Sequence, residues 1–342
     1  MSAKVRASIG ILVSGVFIWL LVYKSGIEWA NAWGHIRGSD KGLLIASAFA
    51  ATFIFAIRVP RWRVILPPLV PGQRRIPFSS LFQSIIIGQM MTNVVPGRAG
   101  ELARPYVLSR KEPSIPFSTG MASVIVDRVF DGIVVLLLLV VAVTDPSFPS
   151  NATIGGRPIA MFALIGAAGL VVGLAGLFAL LLYPAKFIAV SQSMARRTFP
   201  RIEEPLVGFL TRFAAGLTVL NDPRRFLLAL FWTLVHWLVC AASFWLAYLA
   251  VGLDAPVMSA LFVQTAIVLA VAIPSTPGFA GVFEMAAVAA LAVYGVAPDI
   301  AIAWALAYHV VTYIPVTVLG LIYAVRMGLT LGELKKGDPA NG

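Results

Sequence analysis

Two apolar segments of this chain are each interrupted midway by a Pro-Gly pair, and the two interruptions match. Val95-Pro96-Gly97-Arg98-Ala99-Gly100 returns as Thr276-Pro277-Gly278-Phe279-Ala280-Gly281, an offset of 277 − 96 = 181 positions. At the same offset, without a gap, Gln83 falls on Gln264, Ser84 on Thr265 and Arg128 on His309. Proline removes a backbone donor and glycine loosens the chain, so each pair is expected to break a helix. Hydrophobic segments broken at corresponding places in two halves of a membrane protein point to a transporter's binding site between repeats.

The remainder of the sequence places this repeat in a bilayer. Of its 342 residues 59% are hydrophobic and 12% charged, against roughly 25% charged in a soluble domain. Several runs approach or exceed the ~20 apolar residues that cross hydrocarbon. The formal charge of +11 does not indicate a nucleic-acid partner, because the basic residues gather in particular loops between apolar runs, as the positive-inside rule expects. A lone cysteine, Cys240, lies inside an apolar run. It excludes an intramolecular disulfide or a cysteine-based metal cluster and reads as a small core residue.

The charge distribution sets the spans. Residues 7–23 follow Lys4 and Arg6 and read as a retained anchor, since the small-residue site Ala30-Asn31-Ala32 lies well past the run. The run 43–57 is followed by Arg58, Arg61, Arg63, Arg74 and Arg75, which mark a cytoplasmic end. Residues 78–95, the first break and the charged stretch from Arg98 to Glu112 read as a hairpin entering from the cytoplasm, since non-helical backbone is tolerated at membrane depth where it lines a cavity. Runs 118–143 and 159–183 cross outward and back. The segment 186–225 carries Arg196, Arg197, Arg201, Arg212, Arg224 and Arg225 and is therefore cytoplasmic. Within it Leu206, Phe209, Leu210, Phe213, Leu217 and Leu220 keep helical spacing, giving an amphipathic helix either on the inner leaflet or packed under the bundle. Asn221-Asp222-Pro223 caps the next helix.

Runs 226–250 and 300–324 then enclose a second hairpin, 257–273 and 279–294, and no Lys or Arg occurs between Arg225 and Arg326. That hairpin is expected to enter from outside. The predicted fold is an all-α polytopic membrane protein with about six full spans plus two Pro-Gly-broken re-entrant hairpins in an inverted repeat. Its parts are an anchor with an external loop (1–41), repeat 1 (42–143), a linking region (144–225), repeat 2 (226–325) and a tail (326–342) that reads as disordered from residue 337. Both termini would be cytoplasmic, in the inner membrane. Counting the hairpins as paired spans gives ten crossings with the same orientation.

Charged residues inside the apolar runs are the candidate site. Asp127, Arg128 and Asp131 share one helix face, and a charge at the bilayer centre costs at least ~2.5–3.5 kcal/mol. They form either a structural ion-pair cluster or a head-group or proton site. One arginine against two carboxylates leaves an acid unmatched unless it is protonated or meets Arg98 or Arg104. Glu101 and Glu284 each lie early in the half-helix after a break, where the helix dipole favours a carboxylate. Glu284 has apolar neighbours, which favours a coupling role, although its counterpart in the first half is Ala103 and the acid is not part of the repeat pattern. The half-helix starts at Gly97 and Gly278 would expose backbone N–H groups to an anion, and Arg98 adds a fork suited to phosphate. His236 and His309 read as hydrogen-bonded core residues or proton relays. Gln83, Gln89, Thr92 and Asn93, with Gln264 and His309 in the second half, would line a wet cavity. Zinc, P-loop, Rossmann and serine-nucleophile spacings are missing from the sequence, so no metal, cofactor or enzymatic activity is expected.

The run from Asn93 to Glu101 with Arg104, the pair Asp127-Arg128 with Asp131, and Pro277-Gly278-Phe279-Ala280-Gly281 with Glu284 resemble the lysylphosphatidylglycerol synthase transmembrane-region family, also described as flippase-like integral membrane proteins. The resemblance runs from about Leu43 to Ala324. It implies movement of a phospholipid or polyprenyl-linked lipid between leaflets. The phosphate-containing head group would be held by Arg98, Arg104, Arg128 and the half-helix starts, with Glu284, Asp127, Asp131 and Glu101 balancing charge or carrying protons. Bifunctional members carry a soluble aminoacyltransferase domain after the membrane region. This chain ends soon after its last span, so aminoacyl-lipid synthesis is not expected. Basic residues in the family often occupy the position of His309, which is a departure here. The alternatives are an intramembrane lipid-modifying enzyme and a non-transporting partner subunit of envelope lipid or glycan assembly. The sequence names no protein partner.

Overall fold

The computed structural model describes residues 3–66, 75–95, 100–149, 183–198, 203–216, 222–272 and 276–336, with short stretches at 153–154, 157–158, 161, 168–169, 172, 175–176 and 179. The expected span 159–183 falls almost wholly outside these residues, as do the first break at 96–99 and the tail 337–342. Among the described residues the protein is helical, apart from a two-residue antiparallel pairing of Thr153–Ile154 with Arg157–Pro158. This is an all-α membrane protein.

Helix α1 (Ala3–Lys24) leads through the short α2 (Trp29–Arg37) to α3 (Lys41–Ile65). The first hairpin is α4 (Phe78–Val94) and α5 (Gly100–Lys111), and α6 (Phe117–Thr144) closes repeat 1. Helices α7 (Pro184–Thr198) and α8 (Glu203–Gly216) link to α9 (Pro223–Val251). The second hairpin is α10 (Ser259–Ala270) and α11 (Val282–Ala292), joined through a 3-10 turn at Pro277–Phe279. It is followed by α12 (Pro298–Arg326) and α13 (Leu331–Lys336). Helices α3, α9 and α12 are long and apolar enough to cross a membrane. The 25 residues of α3 extend about 37 Å, longer than the ~30 Å hydrocarbon layer.

The two repeats interlock. The first helices of the repeats, α3 and α9, form the most extensive helix pair, and they run antiparallel. Asp40 N–H donates to the Ala250 carbonyl at 2.8 Å, Ser47 Oγ donates to the Ser243 carbonyl at 2.7 Å, and Arg61 reaches Thr233 at 3.4 Å. Antiparallel packing of corresponding helices is what an inverted repeat demands. Each hairpin then lies on the last helix of the other repeat, α4 on α12 and α10 on α6. At the first of these crossings Asn93 Nδ2 donates to Thr317 Oγ1 at 2.8 Å and Tyr313 OH donates to the Asn93 carbonyl at 3.0 Å.

Local sequence accounts for the hairpins. In the first, a Cβ on Gly100 would lie 1.9 Å from the Gly88 carbonyl oxygen, so α4 and α5 meet backbone to backbone. In the second, Gly278, Phe279 and Gly281 all have positive φ, and the strained turn reverses the chain between α10 and α11. Helix α1 covers this turn: Ser14 Oγ lies 2.9 Å from Thr276 Oγ1 and accepts from Thr276 N–H at 3.1 Å. Asp222 caps α9 through the backbone N–H groups of Arg224 and Arg225 with Pro223 in the first turn, as the sequence predicts. Of the two placements left open for the amphipathic segment, α8 takes the one under the bundle. Leu210 is buried in a cluster with Ile65, Val126, Phe130 and Ala229.

Candidate functional site

The apolar face of α3 does not end where its first arginine appears. The sequence places Arg58, Arg61 and Arg63 in a loop beyond the span, but α3 continues to Ile65 and carries all three. Arg58 and Arg61 are buried beside Val59, Trp62 and Ile65. The signal was available: Ala51, Phe55, Trp62 and Ile65 keep helical spacing straight through the basic residues.

These arginines resolve the charge imbalance of α6 and reverse its sign. Arg61 Nε lies 2.6 Å from Asp127 Oδ1, and its Nη1 donates to Asp131 Oδ1 at 2.7 Å. Arg104 Nη1, from α5, donates to Asp127 Oδ2 at 2.6 Å, and Arg58 Nη2 stands 3.5 Å from the same oxygen. Arg128 bridges Asp131 at 3.1 Å and Glu101 at 3.3 Å. Trp237 of α9 donates its indole N–H to Asp131 at 3.1 Å, and the Arg104 guanidinium stacks 3.8 Å above the Trp62 ring, a cation–π contact. Instead of an unmatched acid, four guanidiniums face three carboxylates. Asp127, Asp131, Arg58, Arg61 and Arg104 are buried, whereas the Arg128 side chain is 45% exposed. Four buried guanidinium nitrogens, Arg58 Nε, Arg61 Nη2 and Arg104 Nε and Nη2, have no hydrogen-bond partner among the described residues. A buried donor without an acceptor is costly, and the cluster's surplus charge matches an anion.

A second polar centre lies within repeat 2, beside a cavity shared with repeat 1. Gly281 N–H donates to Glu284 Oε2 at 2.7 Å, which caps the first turn of α11. Glu284 Oε1 takes the other bond, 2.5 Å from His309 Nδ1 on α12. A carboxylate accepting at both oxygens requires the proton on Nδ1. His309 also packs on Phe283 with ring centres 4.7 Å apart. It separates two cavities. One, of about 180 Å³, is walled by Ala51, Ile54 and Phe55 of α3, Gln89 and Asn93 of α4, and Gly278, His309 and Tyr313 of repeat 2. The other, of about 360 Å³, is lined by Pro277, Glu284, His309 and Ile314. On α3, Arg58 is one turn past the lining residue Ile54 on the same face, about 6 Å further along the axis.

The family-model match for the lysylphosphatidylglycerol synthase TM region covers residues 8–320. The chain belongs to this family. It is 27% identical over 341 residues to a UPF0104 membrane protein of Methanothermobacter thermautotrophicus, covering 93% of this chain and 92% of that protein. It is 22% identical over 331 residues to a UPF0104 membrane protein of Pyrococcus horikoshii, covering 92% and 96%. A shorter similarity, 34% over 93 residues, links 27% of the chain to 14% of the glycosyltransferase AglD of Haloferax volcanii. No solved structure matches.

Against this family's motifs, the structure brings Arg104, Arg128, Asp127, Asp131 and Glu101 into one cluster, His309, Gly278 and Asn93 around the first cavity, and Glu284, His309 and Gly278 around the second. Arg98 and Gly97 lie outside the described residues. The start of α11 is capped by Glu284, which leaves Gly278 as a wall residue at φ 68° whose added Cβ would meet the Tyr313 ring at 2.5 Å. Gln83 bonds with Lys111, and neither it nor Gln264 lines the two cavities. Gln264 is buried, and neither its Nε2 nor its Oε1 has a partner among the described residues. His236 is buried with Nδ1 unpartnered and stacks edge-on against Trp237. The repeat also survives where the sequence hides it. Glu284 aligns with Ala103, yet Arg128–Glu101 and His309–Glu284 both pair a base on the closing helix with an acid in the first turn after a break. The acid has moved by two positions while the pairing is kept.

Proposed function

We propose that this integral membrane protein moves a lipid with an anionic, phosphate-containing head group between leaflets. The head group would pass through the cavity between the repeats while the acyl chains stay in the bilayer. The observation that carries this reading is the set of buried guanidinium donors without a partner among the described residues, with Arg58 one helical turn past the cavity-lining Ile54. Phosphate oxygens satisfy such donors with charge-assisted bonds. The protein acts without altering the lipid chemically, in a cytoplasmic membrane, with both termini on the cytoplasmic side. The similarity to a protein named a glycosyltransferase supports including sugar-bearing lipids among the substrates tested.

The experiment is reconstitution of the purified chain in liposomes with a panel of phosphatidylglycerol, phosphatidylethanolamine, a polyprenyl phosphate and a polyprenyl phosphosugar. Accelerated leaflet exchange of at least one lipid, recovered with unchanged mass, is expected. Arg58→Gln should slow it by about tenfold or more, the equivalent of one lost charge-assisted hydrogen bond. Exchange no faster than in protein-free liposomes across the panel would overturn the reading, and a chemically altered lipid would replace it with an enzymatic one.

A further inference from the structure

The pair Glu284–His309 has more chemistry than capping and packing need. One carboxylate oxygen already caps α11, yet the second reaches across to α12 and holds the one histidine that lines both cavities. With Nδ1 committed to Glu284, proton exchange with the cavities falls to Nε2. When the ring is neutral the dyad carries one negative charge in the cavity wall. When a proton from cavity water binds Nε2 the dyad is neutral, and Nε2 changes from acceptor to donor.

Little else nearby sets the charge of the inter-repeat cavity. Among the described residues, α3 presents Ala51, Ile54 and Phe55 to it, α4 presents Gln89 and Asn93, and α1 presents Ser14 and Ile18 to the turn at Gly281. The other titratable groups facing the dyad are Tyr308, whose hydroxyl pairs with Ser243, and Tyr313, whose hydroxyl donates to Asn93. On α9, His236 stacks on Trp237, whose indole bonds to Asp131 in the arginine cluster, and Cys240 packs on the core shared with Tyr308. Arg58 follows one turn below the cavity.

We propose that Glu284 and His309 form a proton-binding site linked to the head-group site, so that an anionic head group enters the inter-repeat cavity together with one proton. The inference rests on the translocation reading and supplies its energy source, a proton gradient. A negative dyad repels the head group and a neutral one admits it. Because linkage is reciprocal, a bound anion must also raise proton occupancy at the dyad. Transport is therefore faster when the dyad holds the proton, at acid pH, than when it does not, at alkaline pH.

The test is calorimetric titration of the detergent-solubilised protein with phosphatidylglycerol near neutral pH, in two buffers of different ionisation heat, alongside transport in liposomes across pH. The wild type should take up about one proton per lipid bound, and its transport should fall about tenfold or more from acid to alkaline pH. Glu284→Gln should bind without proton uptake and lose the pH dependence. His309→Gln removes Nε2 and should bind lipid without proton uptake near neutral pH, and it serves where Glu284→Gln does not fold. Lipid binding by the wild type without proton uptake would overturn the proton site and leave translocation standing. No binding and no transport would overturn both.

Discussion

At the scale of single residues, Asp127 is the keystone of the buried cluster. It is fully buried and touches Arg58, Arg61 and Arg104. Removing one partner of a buried ion pair leaves charge uncompensated and typically costs about 3–5 kcal/mol. Arg128 sits at the rim with a side chain 45% exposed, so its removal strands less buried charge. Asp127→Asn should therefore lower the thermal unfolding midpoint in detergent sharply, whereas Arg128→Met should leave it nearly unchanged. Comparable midpoints for the two variants would show that the cluster does not hold the bundle together. Asp127, Arg104 and Asp131 are legible in the sequence because charge inside an apolar run must find a partner. Arg58 and Arg61 were not, because arginines directly after an apolar run look the same whether they start a loop or continue a helix into the protein. Only tertiary contact with α6 separates the two.

At the scale of elements, the first hairpin depends on how closely α4 and α5 approach. An added Cβ at Gly100 would fall 1.9 Å from the Gly88 carbonyl and 2.1 Å from Thr92 Oγ1, and backbone there cannot yield without separating the helices. Gly132 on α6 has nothing within 4 Å of an added Cβ. Gly100→Val should destabilise by about 1–3 kcal/mol or more, the usual cost of overpacking, and Gly132→Ala should be neutral or slightly stabilising through helix propensity. Matched unfolding curves for Gly100→Val and the wild type would refute the close crossing. The helices were largely readable, since apolar runs, Asp222-Pro223 and the two Pro-Gly pairs mark ends through local chemistry. The pairing of Glu284 with His309 was not. Alignment compares positions, whereas the pairing is set by helical geometry, in which a shift of two residues within the first turn still leaves an acid able to reach the neighbouring helix.

At the scale of the whole molecule, the antiparallel pairing of α3 with α9 and the exchange of hairpins between repeats create a two-sided object with a cavity near its middle. His309 is 11 residues into α12, about 16 Å along its axis, so the dyad lies within the membrane, nearer the start of α12 than its end. Asp127 lies about 15 Å from the start of α6 and Arg61 about 30 Å from the start of α3, so the arginine cluster lies at the matching depth from the opposite face, on the side that the positive-inside rule assigns to the cytoplasm. The site is thus asymmetric in charge rather than in depth: a cationic cluster toward the end of α3 in repeat 1, and the acid–imidazole pair at the corresponding place in repeat 2. This arrangement gives an orientation that labelling can test. In a background without Cys240, exposed Asp254→Cys and Ala297→Cys should react with a membrane-impermeant maleimide from outside intact cells. Arg75→Cys, also exposed, should react only after the membrane is opened. Reaction of all three from the same side would reject the inverted arrangement. The opposite pattern, Arg75→Cys labelled outside and the other two inside, would keep the repeat but turn the molecule over, placing its cationic cluster toward the outer leaflet.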